Sequence, residues 1–468
     1  MLRYALVLGA MAAVASVFGA PTVPTNVTDV ATNLIVGGPG YLMELEVHIA
    51  NNESKVANGN HLTQAGWIPS WAVKKGDRLY VVDEASATLS SYEFNLSTKA
   101  LELKDMAKGS SGVVHLAING AHTRLMGAAY GEGTIDVWDV NDATGRLKHL
   151  QSLSSNNSSK GSPTVPHPHQ VVYEPHERFA LVNDLGTDTI LVIDTKDPNK
   201  FAVTNRIPVM PPGCGPRHGA FFPKYPEDIK KLGNLFYVVV CEKANLLAVY
   251  RVANETDKLC LHQVQVVSTY GPNSQPKDPK AAAAGGILLL PRGDEALGIA
   301  DIYVTNRLTG HESDHIAHFA FNNGTVEFKD DVSTGGIAPR AIATVFGNTD
   351  VLVTNQRGEV GLAGFKRDPA NGSLGPKAVL QVPRVFFDST NTEAGPQFVM
   401  QVTHADLLNV GGFFPSAGTG VSTSGLAAPT GTATANTSGP PQGSQMTTAS
   451  AAPAAGGVFT TTMVLGDH

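Results

Sequence analysis

Between residues 164 and 195 the chain reads TVPHPHQVVYEPHERFALVNDLGTDTILVIDT, which places His167, His169 and His176 within ten positions. Imidazoles at such density can ligate a metal, move protons near neutral pH, or bond a strand end. Further along, Arg217 in GPRH and Arg340 in APR each follow a proline, and two more charged residues end apolar runs, Glu242 in VCEKAN and Arg307 in TNR. A guanidinium fork matches a carboxylate or phosphate, and a histidine or glutamate beside it can carry a proton. Neither a Cys-X-X-Cys nor a His-Glu-X-X-His spacing occurs, so a structural zinc or a zincin site has no basis. Only Glu84, Asp184 and Glu242 stand where a hard cation would need several oxygens, and the arginines among them oppose one. No metal or other cofactor is expected.

The elements that must position these groups form a repeat. An apolar run ending in polar residues, then a turn and a second strand, recurs as LYVVDEASATLSSYEF, LMGAAYGEGTIDVWDV, FALVNDLGTDTILVID, FYVVVCEKANLLAVYRV, IYVTNRLTGHESDHIAHF and VLVTNQRGEVGLAGFKR, and a shorter copy opens the domain at NLIVGGPGYLMELEVH. These units lack helical periodicity, which predicts an all-β, seven-bladed β-propeller of four-stranded antiparallel blades. A short strand precedes each repeat: PSWAV, VVHLAI, PHQVVY, PRHGAFF, GGILLL and PRAIATV. A seventh, PQFVMQV at 396–402, has only the first blade left to join, so it closes the ring and removes the open edge.

In this register the second position of each inner strand reads Ser70, Val114, His169, Arg217, Gly285, Arg340 and Gln397, and the end of the next strand reads Glu84, Tyr130, Asp184, Glu242, Arg307 and Gln356. Antiparallel pairing sets the start of one strand beside the end of the other, so both columns meet at one rim of the channel. His169 falls in the column and His167 does not. His115, in VVHLAI, is one position off it and reads as a polar residue near a strand start. The convergent arginines, histidine and carboxylate predict a site for a small anionic ligand.

The segments HPHQ, GCGPRHGAFFP, YVVVCEKANLLAVY, IYVTNR and APRAIA resemble the seven-bladed lactonase family, which contains propeller-type 6-phosphogluconolactonases and 3-carboxy-cis,cis-muconate lactonizing enzymes (carboxymuconate cyclases). PSW at 69–71 leans toward the cyclase branch. The resemblance implies catalytic roles for His169, Arg217, Glu242 and Arg307, and substrate contacts from Arg340, His218, Trp71 and Gln397. In the cyclase reaction the arginines would hold substrate carboxylates while Glu242 or His169 protonates a carbanion. The donor must be protonated when it acts, so either burial raises the Glu242 pKa or His169 serves. The ligand would be a polycarboxylate or a sugar-acid lactone.

Composition bounds the setting. The 468 residues are 42% hydrophobic and 16% charged with a net charge of −7, which offers no basic face to a nucleic acid. The opening MLRYALVLGAMAAVASVFGA has the layout of a cleaved secretory signal at 1–20, followed by a segment at 21–32, the propeller at 33–410 and a Ser/Thr/Pro/Ala/Gly-rich tail at 411–468. The tail is too poor in apolar surface to order itself and is free for cell-wall or host-surface contact; no stable membrane insertion is expected. Sequons begin at Asn26, Asn52, Asn95, Asn156, Asn157, Asn254, Asn323, Asn371 and Asn436, which supports a secreted, glycan-bearing protein. Of the three cysteines, Cys214 lies just before an inner strand and Cys241 ends its neighbour, so pairing predicts a disulfide between them, with Cys260 left on an outer strand. Two function classes follow: an enzyme that closes or opens a lactone, and a non-catalytic surface glycoprotein that keeps the propeller as a scaffold.

Overall fold

The computed structural model describes residues 30–50, 53–95, 97–156, 165–255, 258–345, 347–388 and 394–402. The chain divides into two units, Met1–Ser416 and Ala417–His468, and no residue of the second is described. The leader at 1–20, the tail at 411–468 and the sequons at Asn26, Asn52, Asn157 and Asn436 lie outside the described residues. No described helix is long and apolar enough to cross a membrane.

Seven four-stranded antiparallel sheets form the ring of a β-propeller. The fourth blade shows why its sequence folds this way. Its middle strands, Phe179–Asp184 and Thr189–Asp194, are almost wholly apolar because both faces are covered. Leu181, Ile190 and Val192 pack on Tyr237 and Val239 of the fifth blade, while Ala180, Val182, Leu191 and Ile193 pack on Met126 and Val137 of the third. Alternation along a strand therefore divides its side chains between the two neighbouring blades, each large one contributing roughly 1.5–3 kcal/mol on burial.

Five innermost strands carry a β-bulge at the same place. The register shifts between Val113 and His115, Pro168 and Gln170, Pro216 and Gly219, Ala284 and Ile287, and Pro339 and Ala341. An extra residue at a bulge is unpaired and its side chain is re-aimed. The bulged residues are Val114, His169, Arg217 with His218, Gly285 with Gly286, and Arg340.

The ring closes where strand Phe398–Val402 pairs with Val30–Gly38, from Phe398 opposite Gly37 to Val402 opposite Asn33. The first strand begins at Val30, ahead of the expected boundary at residue 33. Phe398 is buried against Ile35, Leu42 and Val81, and Gly37 is required beneath it, since a Cβ there would stand 2.1 Å from Cε1 of the ring. Cys214 and Cys241 are joined by a disulfide with Cα atoms 4.6 Å apart, and Cys260 is a free thiol on strand Lys258–Ser268. Of the sequon residues, Asn95, Asn156, Asn323 and Asn371 are exposed, and Asn254 lies in strand Leu246–Glu255. Phe398→Ala is expected to lower unfolding free energy by about 3–5 kcal/mol; a loss below about 1 kcal/mol in urea titration would show that the closing strand contributes little.

Candidate active site at the channel mouth

The strand ends and bulges gather His169, Arg217, Glu242 and Arg307 at one site. Arg217 Nε lies 2.6 Å from the Glu242 carboxylate, and Arg307 Nη2 lies 3.0 Å from the same oxygen. Arg340 and Glu84 form a second ion pair, joining the seventh blade to the second. Arg217 is only 2% exposed, and its Nη1 is buried with no hydrogen-bond partner among the described residues. A buried, uncommitted guanidinium nitrogen is costly unless a ligand meets it.

Local structure explains how these groups are held. Pro216 pairs with Cys241 just before the bulge, the Glu242 N–H donates to Gly215 O at 2.8 Å, and the disulfide joins the two backbones at this point. A one-residue slip would carry Arg217 and Glu242 out of the site. Gln170, beside His169, ties one bulge to the next: Gly219 N–H donates to its Oε1 at 2.6 Å, and its Nε2 donates to Gly219 O at 3.1 Å. In the sixth blade Gly285 leaves room for Arg307, because a Cβ there would stand 3.1 Å from Arg307 Cδ and 2.5 Å from Thr305 Oγ1.

Imidazoles and one indole make the opposite wall. Ring centroids are 4.3 Å apart for Trp71 and His115, 5.5 Å for His115 and His218, and 5.1 Å for His169 and His218. His115 thus belongs to the site, whereas its sequence position read as a polar residue off the column. His115 follows the bulged Val114 as His218 follows Arg217, and the two rings meet, so the position after the column also reaches the site. His167 stacks on Tyr130 at 4.3 Å and its Nδ1 lies 2.9 Å from the Tyr130 carbonyl, so it serves the rim. Gln397 bonds Gln356 at 2.9 Å. Asp184, expected in the column, instead sits opposite Pro168 as Cys241 sits opposite Pro216, one position short of the place of Glu242, and its carboxylate accepts from the backbone N–H groups of His167, Gly186 and Thr187 at 2.8, 3.0 and 3.1 Å. Among the described residues no group of three His, Cys, Asp or Glu side chains could hold a metal ion.

Electrostatics assign protonation states. Burial presses the Glu242 pKa up, but the charges of Arg307 and Arg217 outweigh it and hold the carboxyl below its usual value. Glu242 is therefore ionised at neutral pH and is not the protonated donor that the sequence left open as an alternative to His169. Burial, with Arg217, Arg340 and Arg307 nearby, drives His169 well below the ordinary histidine value. His218 is displaced the same way by burial and then Arg217, and His115 falls to about 3. All three rings are neutral at neutral pH.

Comparison with known proteins agrees with this architecture. The family profile described as "Lactonase, 7-bladed beta-propeller" matches residues 40–386. A protein of Arthroderma benhamiae named "Probable 6-phosphogluconolactonase" is 28% identical over 321 residues, covering 66% of this chain and 76% of its own. The 6-phosphogluconolactonase of Bacillus subtilis is 26% identical over 328 residues, covering 65% of this chain and 84% of its own. The periplasmic gluconolactonase of Pseudomonas aeruginosa superposes with a TM-score of 0.62 at 22% identity, over 80% of this chain and 99% of its own. With its blades, closing strand and matched span, this chain belongs to the seven-bladed β-propeller lactonase family.

Proposed function

We propose that the protein hydrolyses the lactone ring of a sugar acid at this site. The observation that carries the reading is Glu242 shared by Arg217 and Arg307, next to a neutral His169. The guanidinium groups, fixed by the carboxylate before substrate arrives, would stabilise negative charge on the carbonyl oxygen. His169 would take a proton from water as the water oxygen bonds the lactone carbon. The tetrahedral intermediate then collapses, the ring C–O bond breaks, and the imidazolium returns the proton to the departing alkoxide. Burial and then the arginines disfavour an imidazolium at His169; the oxyanion offsets the arginines, so proton transfer is coupled to addition.

Hydrolysis fits these charges better than muconate cyclisation. Protonating a carbanion calls for an acid, but Glu242 is held ionised and His169 is held neutral. The relatives named as lactonases support the same choice. We also infer export and glycosylation, on the strength of the apolar opening segment and the exposed Asn95, Asn323 and Asn371.

Arg307→Ala is expected to lower kcat/KM on a responsive lactone by about tens to thousands of fold, the loss of about 2–5 kcal/mol, while the melting temperature stays near wild type. Wild type that turns over no lactone in a panel, yet binds sugar acids through the same arginines, would establish the scaffold reading instead. A second outcome concerns pH. Because His169 lies well below the ordinary value of 6.5, kcat/KM should stay flat as pH falls from neutrality through that value and decline only below it. An acid limb at or above that value would remove His169 as the base.

A further inference from the structure

The charges at the site are unequally matched in a way that bears on the ligand. Arg217 acts on Tyr130, His169, His218 and Glu242 alike, Arg307 and Arg340 each act on three of these groups, and Glu84 and Glu242 act on Tyr130, so the five charges share one site. Three guanidinium groups against two carboxylates leave one unbalanced positive charge. Glu242 takes up Arg217 and Arg307, while Glu84 engages Arg340 from across the channel mouth.

We propose that Glu84 is a specificity-determining residue that tunes this site to a neutral or singly charged sugar lactone and against phosphorylated or polycarboxylate ones. The inference rests on the lactone-hydrolysis reading and narrows its substrate class. A neutral lactone leaves the one free positive charge for the oxyanion that develops on addition, and a lactone bearing one carboxylate brings the site to neutrality. A phosphate monoester carries about 1.5–2 negative charges at neutral pH, so it leaves the site negative before any oxyanion forms. A tricarboxylate does so to a greater degree. Uncompensated charge in a half-buried pocket is expensive, and discrimination of this kind works by repulsion as much as by attraction.

The facing wall points the same way. Trp71, His115 and His218 offer flat, uncharged surfaces, with His115 Nδ1 and His218 Nε2 buried and without hydrogen-bond partners among the described residues. Such a wall suits the apolar face and the hydroxyl groups of a sugar ring. It supplies no charge for a second anionic group.

The test compares kcat/KM of the full chain on gluconolactone and on 6-phosphogluconolactone, corrected for spontaneous opening. Wild type is expected to favour the unphosphorylated substrate by at least about tenfold, and Glu84→Gln, which frees Arg340, to move the ratio toward the phosphorylated one by about tenfold. The double variant Glu84→Gln/Arg340→Gln restores the single positive charge and should restore the wild-type ratio, which a merely structural role for Glu84 would not do. A wild-type preference for the phosphorylated lactone, or a ratio unmoved by Glu84→Gln, overturns the proposal. If Glu84→Gln fails to fold, Glu84→Asp, which keeps the charge, must keep the wild-type ratio, and a ratio that moves overturns the proposal. If no lactone is turned over, the hydrolase reading falls, and calorimetric binding of gluconate against 6-phosphogluconate still decides the charge preference.

Discussion

Two guanidinium groups from adjacent blades share one carboxylate, and most of what is distinctive at the channel mouth follows from holding them there. Arg217, Glu242 and Arg307 cannot be left unpaired at their burial, so each must be fixed before a substrate is bound. The bulge after Pro216 turns Arg217 into the channel, the disulfide joins the backbones on which Arg217 and Glu242 sit, and Gly285 clears the path of Arg307. Burial and the arginine charges together set the protonation of the groups nearby. Arg307 and Arg217 keep Glu242 ionised, and burial with Arg217, Arg340 and Arg307 discourages an imidazolium at His169, so the site is prepared for negative charge arriving on a ligand.

Much of this was legible in the chain itself. FALVND and TILVID announce covered middle strands, the recurrence of such runs announces blades, and the stray strand at 396–402 has one partner left, which is the pairing observed. The columns that brought His169, Arg217, Glu242 and Arg307 together needed only antiparallel register. What periodicity could not show is the bulge, because one extra residue in a short strand leaves the apolar pattern almost unchanged. Nor could it show that the residue after the column also reaches the site, as His115 does beside His218, or that Asp184 sits opposite Pro168 as Cys241 sits opposite Pro216, one position short of the place Glu242 holds, where it binds backbone amides. The Arg340–Glu84 contact was equally hidden, since the partners are 256 positions apart and join blades that are not neighbours in sequence. Protonation states were beyond reach for a related reason: they depend on distances between charges from different blades.

The closing strand has a mechanical consequence. Because Phe398–Val402 runs antiparallel to Val30–Gly38, with Val402 opposite Asn33, the two ends of the described propeller leave the sheet at the same corner. Tension applied to both ends would load that ladder one hydrogen bond at a time, peeling it from Val402 toward Phe398, and would not shear all its bonds together. The seam that makes the ring complete is thus also where a pulling force would open it.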